Sequence, residues 1–344
     1  MLYQIKSNFV YYHLKTVKNY SMNFKFGRQL LTLALSVALC DTVSGQDAYR
    51  VYVEPDGWSI GTNFCKTDLL ATVGPQSFSN LYTNSKYLDH PTFLGGMFGR
   101  YTIHPCLALR LSVNYGTLYA TDKTNKDLAL KDETRSNEYY LAYARNQTVK
   151  SIVWDNALYF ELMPKRLNPE SKGAHKRGQY YLVAGLSALH FQPYATVGDS
   201  KTWVKTYDLH LEGEGWGGNY PPNYSRWTWA YAYGLGYKWD IGQHLNLGFE
   251  VMFHKTHTSY IDGMGESNYV DPKAYEVHLS PEKAALANQI ADKHYILGLE
   301  PQAAPGTPRG LGPNGSTHYV DAFLTYGLTF YYKINLRNRE WWRP

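Results

Sequence analysis

The side chains best suited to catalysis in this sequence are Ser259, His257 and Asp262, which follow a strand-like segment. A serine, a histidine and a carboxylate can act as nucleophile, base and orienting acid when they are aligned. Nothing in their spacing orients these three as a triad. The sequence also has no GxSxG, HExxH, Walker or GxGxxG motif between a strand and a helix. We therefore predict no enzyme activity and no catalytic residues.

Candidate metal and phosphate ligands are equally sparse. His254 and His257 are three positions apart on a predicted strand and should point to opposite faces, which disfavours a shared metal. The glycine-rich stretch 213–219 has neither the lysine nor the following helix of a phosphate-binding loop. The sequence predicts neither a metal site nor a cofactor.

The N-terminal region has the features of a secretory leader. Arg28 precedes an apolar run, Leu30–Leu39, and small residues follow at Ser44 and Gly45. This pattern predicts a signal peptide over residues 1–45, with Met22 as a possible true start. A lipid-attachment site at Cys40 is an alternative, although Leu39 stands where such signals need a small residue.

Composition excludes two broad classes of protein. Phe, Trp and Tyr make up 16% of the 344 residues and charged residues only 18%. Disordered chains are poor in aromatic residues, and nucleic-acid-binding proteins carry basic stripes. Most of the formal charge of +5 comes from the leader. We predict no nucleic-acid partner.

The mature chain alternates between bulky and small residues. In 227–241 every odd position is large and apolar or aromatic, whereas the even positions are Thr, Ala, Gly, Lys and Asp. Segments 107–116, 245–254 and 324–334 alternate in the same way. A soluble sandwich or lipocalin-like barrel would also alternate. The Gly- and Ala-rich small face favours the inside of a narrow barrel, with the bulky face toward lipid.

Eight strands can be predicted, over 57–65, 92–103, 106–119, 149–162, 179–191, 226–241, 245–258 and 319–334. Their connections alternate between long and short, as in outer-membrane barrels, which have short periplasmic turns and long external loops. We predict an all-β fold, an eight-stranded antiparallel transmembrane β-barrel over 46–336. One short helix should begin at Pro281 in the last external loop. Both termini and a tail, 337–344, should be periplasmic.

Charged side chains occur on the predicted inward face. Four bases and four acids should form a paired internal network, because buried charges persist mainly where they are paired. A pore lining or a catalytic carboxylate pair is the alternative. The eight residues are Arg100, Arg110, Asp155, Glu161, Lys238, Asp240, Glu250 and Lys333.

Five segments resemble a known family. They are GGMFGRYTIHPCLALRLSVNYG (95–116), RNQTVKSIVWDNALYFELMP (145–164), YYLVAGLSALHFQPYA (180–195), YGLGYKWDIGQHLNLGFEVMFHKTHTSYIDGMGESNYVDP (233–272) and YGLTFYYKI (326–334). Together they resemble the PorG-like outer-membrane component of the type IX secretion system of Bacteroidota. The resemblance implies a noncatalytic barrel that anchors the periplasmic ring of the secretion machine, a lipoprotein and its partner protein, to the outer membrane. The long last external loop and the tail depart from the family.

Two periplasmic segments could then contact the ring. The turn 163–178 is rich in bases, and the tail combines arginines with tryptophans, which often anchor interfaces. A solvated turn and an interfacial tryptophan belt are the alternatives. The predicted partner-binding residues are Lys165, Arg166, Lys172, Lys176, Arg177, Arg337, Arg339, Trp341, Trp342 and Cys106. A surface adhesin or glycan-binding barrel acting through Trp203, Trp216 and 220–224 is a second hypothesis.

Cys65 and Cys106 should not form a disulfide. The predicted topology puts them at opposite ends of the barrel, on the order of 20 Å apart, whereas a disulfide allows roughly 7 Å between Cα atoms. Cys106 should be a thiol at the periplasmic rim, either buried or available to a ring protein.

Overall fold

A computed structural model describes residues 57–75, 92–131, 133–168, 173–174, 176–241, 244–265, 268–298, 306–307 and 320–334. All of them belong to the second of two units of the chain, Tyr52–Pro344. The predicted signal peptide and the tail 337–344 lie outside the described residues, and so do the domain boundaries at 45 and 336.

The described residues form nine strands, of which the eight long ones come from segments with the period-two pattern. They are β1 (Gly57–Leu70), β2 (Phe93–His104), β3 (Leu107–Thr121), β4 (Thr148–Leu162), β5 (Gly178–Thr196), β6 (Trp203–Lys205), β7 (Trp227–Asp240), β8 (Leu245–Thr256) and β9 (Ala322–Lys333). The long strands match the eight predicted ones. β1 continues five residues beyond its predicted end at Cys65.

The sheet closes on itself. Each long strand pairs antiparallel with its neighbour along the chain, and β1 pairs with β9 from Ser59↔Lys333 to Leu70↔Ala322. The short β6 pairs only with the last residues of β5. The predicted eight-stranded antiparallel barrel is therefore confirmed.

The two ends of the barrel differ. The turn end, where β1 begins and β9 finishes, carries the connections at 105–106, 163–177 and 241–244. The loop end carries the connections at 71–92, 122–147, 197–226 and 257–321. This alternation reproduces the predicted pattern of short and long connections.

Short helices lie in two of the loop-end connections. α1 (Lys126–Ala129) and α2 (Glu138–Arg145) join β3 to β4, while α3 (Pro272–His278) and α4 (Pro281–Ala291) precede β9. α4 begins at Pro281 after Ser280, as predicted. The expectation of a single helix was wrong, because the described residues contain three more. No helix in the described ranges is long and apolar enough to cross a membrane.

Side-chain caps explain two of the helices that were missed. Asn137 accepts a hydrogen bond from the Tyr140 amide at 2.8 Å, and Asp271 accepts one from the Lys273 amide at 2.9 Å. Such caps satisfy amides that have no partner within a helix. The missed helices have only four to eight residues, so their sequence patterns are too short to reveal a helical period.

Glycines make room for large side chains inside the barrel. The Tyr181 ring lies against Gly236, where an added Cβ would be 2.3 Å from Tyr181 Cζ. Gly248 lies beside the same ring, where an added Cβ would be 3.6 Å from the Tyr181 hydroxyl. Glycine at these inward positions allows an aromatic ring to cross the neighbouring strands. The Gly-rich face of β7 is therefore an inner face, as the alternation predicted.

Candidate functional site

The centre of the barrel holds a linked set of buried ion pairs. Arg100 Nε donates to Glu161 Oε2 at 2.7 Å, and Arg110 Nε lies 3.3 Å from Glu161 Oε1. Arg110 also forms a bidentate ion pair with Glu250, in which Nη1 donates to Oε1 and Nη2 donates to Oε2 at 3.1 Å. The Tyr181 hydroxyl donates to Glu250 as well. Arg110 therefore joins two carboxylates that come from different strands, β4 and β8.

A second ionic group closes the turn end. Asp240 accepts Lys333 Nζ at 3.0 Å and lies 3.5 Å from a guanidinium nitrogen of Arg166. Arg166 was predicted to contact a partner, yet only 1% of it is exposed. That prediction was wrong, because the short helical turn 164–166 directs this side chain inward to the buried Asp240.

The remaining predicted interior charges are also buried. Asp155 accepts a hydrogen bond from the side-chain nitrogen Nδ2 of Asn114 at 3.0 Å. Lys238 is buried on β7 and adds positive potential at Glu161. All eight residues of the predicted network thus lie inside, with Arg166 as a further cation. These ion pairs link strands that are distant along the chain, which is consistent with a role in holding the barrel together.

The loop end is closed by an apolar core. Leu69, Leu118 and Phe323 from the strands pack in one cluster with Ile261 and Ile290 from the last connection. None of these side chains is more than 1% exposed. The connections therefore fold over and into the barrel mouth, and both ends of the interior are occupied.

A buried carboxylate joins two of the loop-end connections, 71–92 and 122–147. The Asp122 carboxylate accepts hydrogen bonds from Nε and Nη2 of Arg145, both at 2.8 Å. It also accepts hydrogen bonds from the backbone amides of Gly74 and Gln147 at 3.0 Å. Arg145 donates further to the Thr72 carbonyl at 2.7 Å. We call these residues, with Asp262, the loop clasp. Sequence reasoning missed it, because its members come from distant connections.

Asp262 completes the loop clasp and has an altered acidity. Its carboxylate accepts the amides of Val73 and Met264, each at 2.9 Å. Burial raises the pKa of Asp262 from 3.8 to about 6, against the lowering effect of these two amides and of Arg145. The group is held by backbone and has no reacting partner among the described residues.

The possible catalytic and metal groups do not come together. His257 packs on the outer face against Tyr231, with ring centroids 5.2 Å apart, whereas Asp262 is buried. His254 points inward and stacks on Phe323 at 4.3 Å. Within the described part of the chain, no group of three His, Cys, Asp or Glu side chains is placed to hold a metal ion.

The residues predicted to contact partners are found in different environments. Lys176 and Arg177 are exposed at the turn end, and Lys165 is half-buried with its ammonium 4.8 Å from the Tyr180 ring. Lys172, Arg337, Arg339, Trp341 and Trp342 lie outside the described residues.

The two cysteines lie at opposite ends of β2 and are free thiols. Cys65 pairs in register with Leu94, near the start of β2, whereas Cys106 follows the end of that strand. Cys106 is buried beside His104, with its sulfur 2.9 Å from Nδ1, and burial raises the pKa of its thiol. This burial favours the inert form of the thiol over an exposed reactive one.

The outer surface of the barrel is a continuous apolar belt. Its residues occupy alternate positions of every long strand, and Trp229, for example, is 64% exposed. Aromatic pairs border the belt at both ends, with Trp58 near Tyr101 at the turn end and Tyr115 near Trp154 toward the loop end. An outward apolar band between aromatic girdles is the surface of a transmembrane β-barrel.

Comparison with solved structures returns small barrels of outer membranes and bacterial surfaces. Neisserial surface protein A matches with 7% identity and a TM-score of 0.34, covering 80% of this chain and 97% of its own. Ail, the attachment invasion locus protein of Yersinia pestis, matches with 10% identity and a TM-score of 0.33, over 81% and 100% of the two chains. OprG of Pseudomonas aeruginosa matches with 9% identity and a TM-score of 0.33, over 83% and 100%. No family model and no curated protein matches this sequence.

Proposed function

We propose that this protein is a noncatalytic outer-membrane barrel that anchors the periplasmic ring of a type IX secretion machine. The single observation that carries the proposal is a barrel filled at both ends, with lipid-type residues outside and exposed bases at the turn end. Ion pairs occupy the interior toward the turn end and apolar side chains occupy it toward the loop end, which favours a structural role over transport. What remains is a rigid body that holds a contact surface at the membrane.

The outer surface supports the placement in a membrane. Large apolar side chains that are about half exposed recur on all eight long strands. Soluble proteins rarely expose apolar patches beyond a few hundred Å². In a membrane, this surface would contact lipid chains, and a closed barrel would leave no unpaired strand edge. The bacterial outer membrane is the membrane in which such small antiparallel barrels occur.

The turn end supports an anchoring role. The side chain of Gln179 donates to the carbonyls of Gly173 and Lys176 at 3.0 and 2.8 Å, which orders the backbone beneath the exposed bases. The Arg177 carbonyl accepts the Asp240 amide at 3.1 Å. Lys176 and Arg177 are therefore presented from a fixed backbone, and a fixed surface loses less entropy on binding. The resemblance of the chain to PorG-like barrels supplies the identity of the partner.

A surface adhesin receives less support from the loops. Trp216 stacks on His278 at 4.5 Å, and Tyr224 stacks on Tyr260 at 4.2 Å. These aromatic side chains pack among the loop-end connections instead of forming an open binding face. Trp203 contacts Lys150, as described below.

Charge reversal at the turn end tests the anchoring role. We expect Lys176→Glu with Arg177→Glu to lower co-purification of the ring lipoprotein from membranes by roughly tenfold, because like charges brought together at an interface cost several kcal/mol. The matched control is Lys273→Glu with Lys283→Glu, which reverses two exposed charges at the loop end. Both variants should keep the heat-modifiable gel shift of a folded barrel. Undiminished ring recovery with the first variant would contradict the proposal.

A further inference from the structure

Three cations face outward just above the apolar belt, on one side of the barrel. They are Lys150 on β4, Lys205 on β6 and Arg226, which precedes β7. Tyr194 connects two of them, because it pairs in register with Lys150 on one side and with Lys205 on the other. Arg226 reaches the same face through its hydrogen bond to the side chain of Gln192, two residues before Tyr194 on β5. We call Lys150, Lys205, Arg226, Tyr194 and Trp203 the cationic patch.

Two of the three cations, Lys150 and Arg226, lie against aromatic rings. The Lys150 ammonium is 4.5 Å from the Trp203 ring and 5.5 Å from the Tyr194 ring. The Arg226 guanidinium is 4.8 Å from the Tyr207 ring and donates to the Gln192 side chain at 2.6 Å.

The three cations of the patch form no ion pair with a described carboxylate. In the parts of the chain that the structure describes, no carboxylate lies within 4 Å of Lys150, Lys205 or Arg226. Asp199, on the connection that leads to β6, pairs with Lys123 at 2.9 Å. Three cations on one face therefore lack an anionic partner among the described residues.

Along the barrel axis, the cationic patch lies at the level expected for the membrane–water interface. The outward positions of β4 begin with Phe160 near the turn end and reach Trp154 and then Lys150 toward the loop end. Ten residues separate Phe160 from Lys150, which corresponds to about 25 Å along the barrel axis after tilt, the usual height of the apolar band. Lys150 is thus at the level of lipid headgroups, beyond the lipid chains.

From these observations we propose that the cationic patch binds the phosphate groups of an anionic glycolipid in the outer leaflet of the membrane. The proposal rests on the membrane placement proposed above. Lysine and arginine bind phosphate through charge and hydrogen bonds, and tryptophan and tyrosine favour the headgroup level. Trp203 and Tyr194 hold Lys150 in place, so the phosphate would meet preordered cations.

Retention of lipid by the purified barrel tests the proposal. The parent and the triple variant Lys150→Gln, Lys205→Gln, Arg226→Gln are inserted into phosphatidylcholine nanodiscs that contain one tenth bis-phosphorylated lipid A, extracted in mild detergent and analysed by native mass spectrometry. We expect the lipid A retained per barrel to fall by roughly a hundredfold in the triple variant, since each basic residue near a charged membrane surface strengthens binding about fivefold. Trp203→Ala should give a smaller loss.

The matched control removes the same number of charges away from the patch. Lys126→Gln, Lys273→Gln and Lys283→Gln lie on loop-end helices, and this variant should retain lipid A as the parent does. Equal retention by the parent and the patch variant would overturn the proposal, as would equal loss in both triple variants. If the patch triple does not give the gel shift of a folded barrel, the exposed single variant Lys205→Gln replaces it, with a partial loss expected.

Two further arms identify the source of the phosphate and separate this proposal from the previous one. Lipid A without phosphates should not be retained, and millimolar inorganic phosphate should not displace the phosphorylated form; displacement would indicate a site for free phosphate and overturn the lipid assignment. Ring co-purification should be unchanged in the patch variant. Insertion into nanodiscs of phosphatidylcholine alone reports on membrane placement independently of lipid A.

Discussion

The two halves of the barrel interior are filled in opposite ways. Toward the turn end, the interior is ionic, with Arg110 between Glu161 and Glu250. Toward the loop end, it is apolar, with Phe323 and Ile290 in one cluster. The ionic half is supplied mostly by the strands themselves, whereas the apolar half needs side chains from the long connections. We therefore expect substitutions in the ionic half to lower the free energy of unfolding of the whole barrel. Substitutions in the apolar half should loosen only the connections at the loop end.

The largest effect should come from breaking the ionic half at its centre. Arg110→Met leaves Glu161 and Glu250 short of a buried cation, so we expect a loss of about 3–5 kcal/mol in the free energy of unfolding, or no folding at all. Urea unfolding in lipid vesicles, followed by the gel shift, measures it. Arg110→Met combined with Glu250→Gln removes one charge of each sign and keeps an acceptor for Tyr181, so it should recover part of the loss. No recovery in the double variant would mean that Arg110 acts mainly by packing.

A smaller and local effect is expected in the apolar half. Ile290 is fully buried on α4, and Ile290→Ala should destabilise the packing of the last connection by about 2–4 kcal/mol, the usual cost of such a truncation. The barrel strands should remain folded, because their hydrogen bonds do not involve α4. Limited proteolysis should cut the connection faster while the gel shift is unchanged; Leu286→Ala, on the same helix but half-buried, is the control. Loss of the gel shift in Ile290→Ala would show that the two halves unfold together.

The loop clasp gives a pH dependence of moderate size. Because the folded pKa of Asp262 is about 6 and its ordinary value is 3.8, the folded state holds the proton more tightly between these values. The free energy of unfolding of the loop end should thus be highest below about pH 4 and fall by roughly 2–3 kcal/mol as pH rises through 6. Hydrogen exchange at Val73 and Met264 from pH 4 to pH 7 measures it. Asp262→Asn should flatten this dependence; a dependence that persists in the variant would assign it to another group.

The smallest effect is expected at the thiols. Cys106→Ser changes one buried sulfur outside both halves of the interior, so stability should change by less than about 1 kcal/mol. A nonreducing gel should show the same single species for the parent and the variant. A 65–106 linked peptide in a tryptic digest would contradict the topology, because these residues lie at opposite ends of β2.

Most charged residues of the ionic half could be predicted from the sequence. The inward positions of Arg100, Arg110, Glu161 and Glu250 follow from counting by two along each strand. Arg166 was misassigned, because a base in a turn has no periodicity and its direction depends on the helical turn 164–166. Most of the apolar half was not readable, because a side chain such as Ile290 meets Leu69 only after the last connection has folded over the barrel mouth.

The sequence by itself determined the barrel, its strand number, the alternation of short and long connections, and the inward charges, because period two is a local property of an extended backbone. Only the tertiary structure decided that the loop end is plugged, that Asp122, Arg145 and Asp262 meet in the loop clasp, and that Lys150, Lys205 and Arg226 share one outward face. Those contacts join residues tens to nearly two hundred positions apart. A local sequence pattern cannot predict contacts between residues so far apart in the sequence, because these contacts depend on strand register and on how the connections fold back.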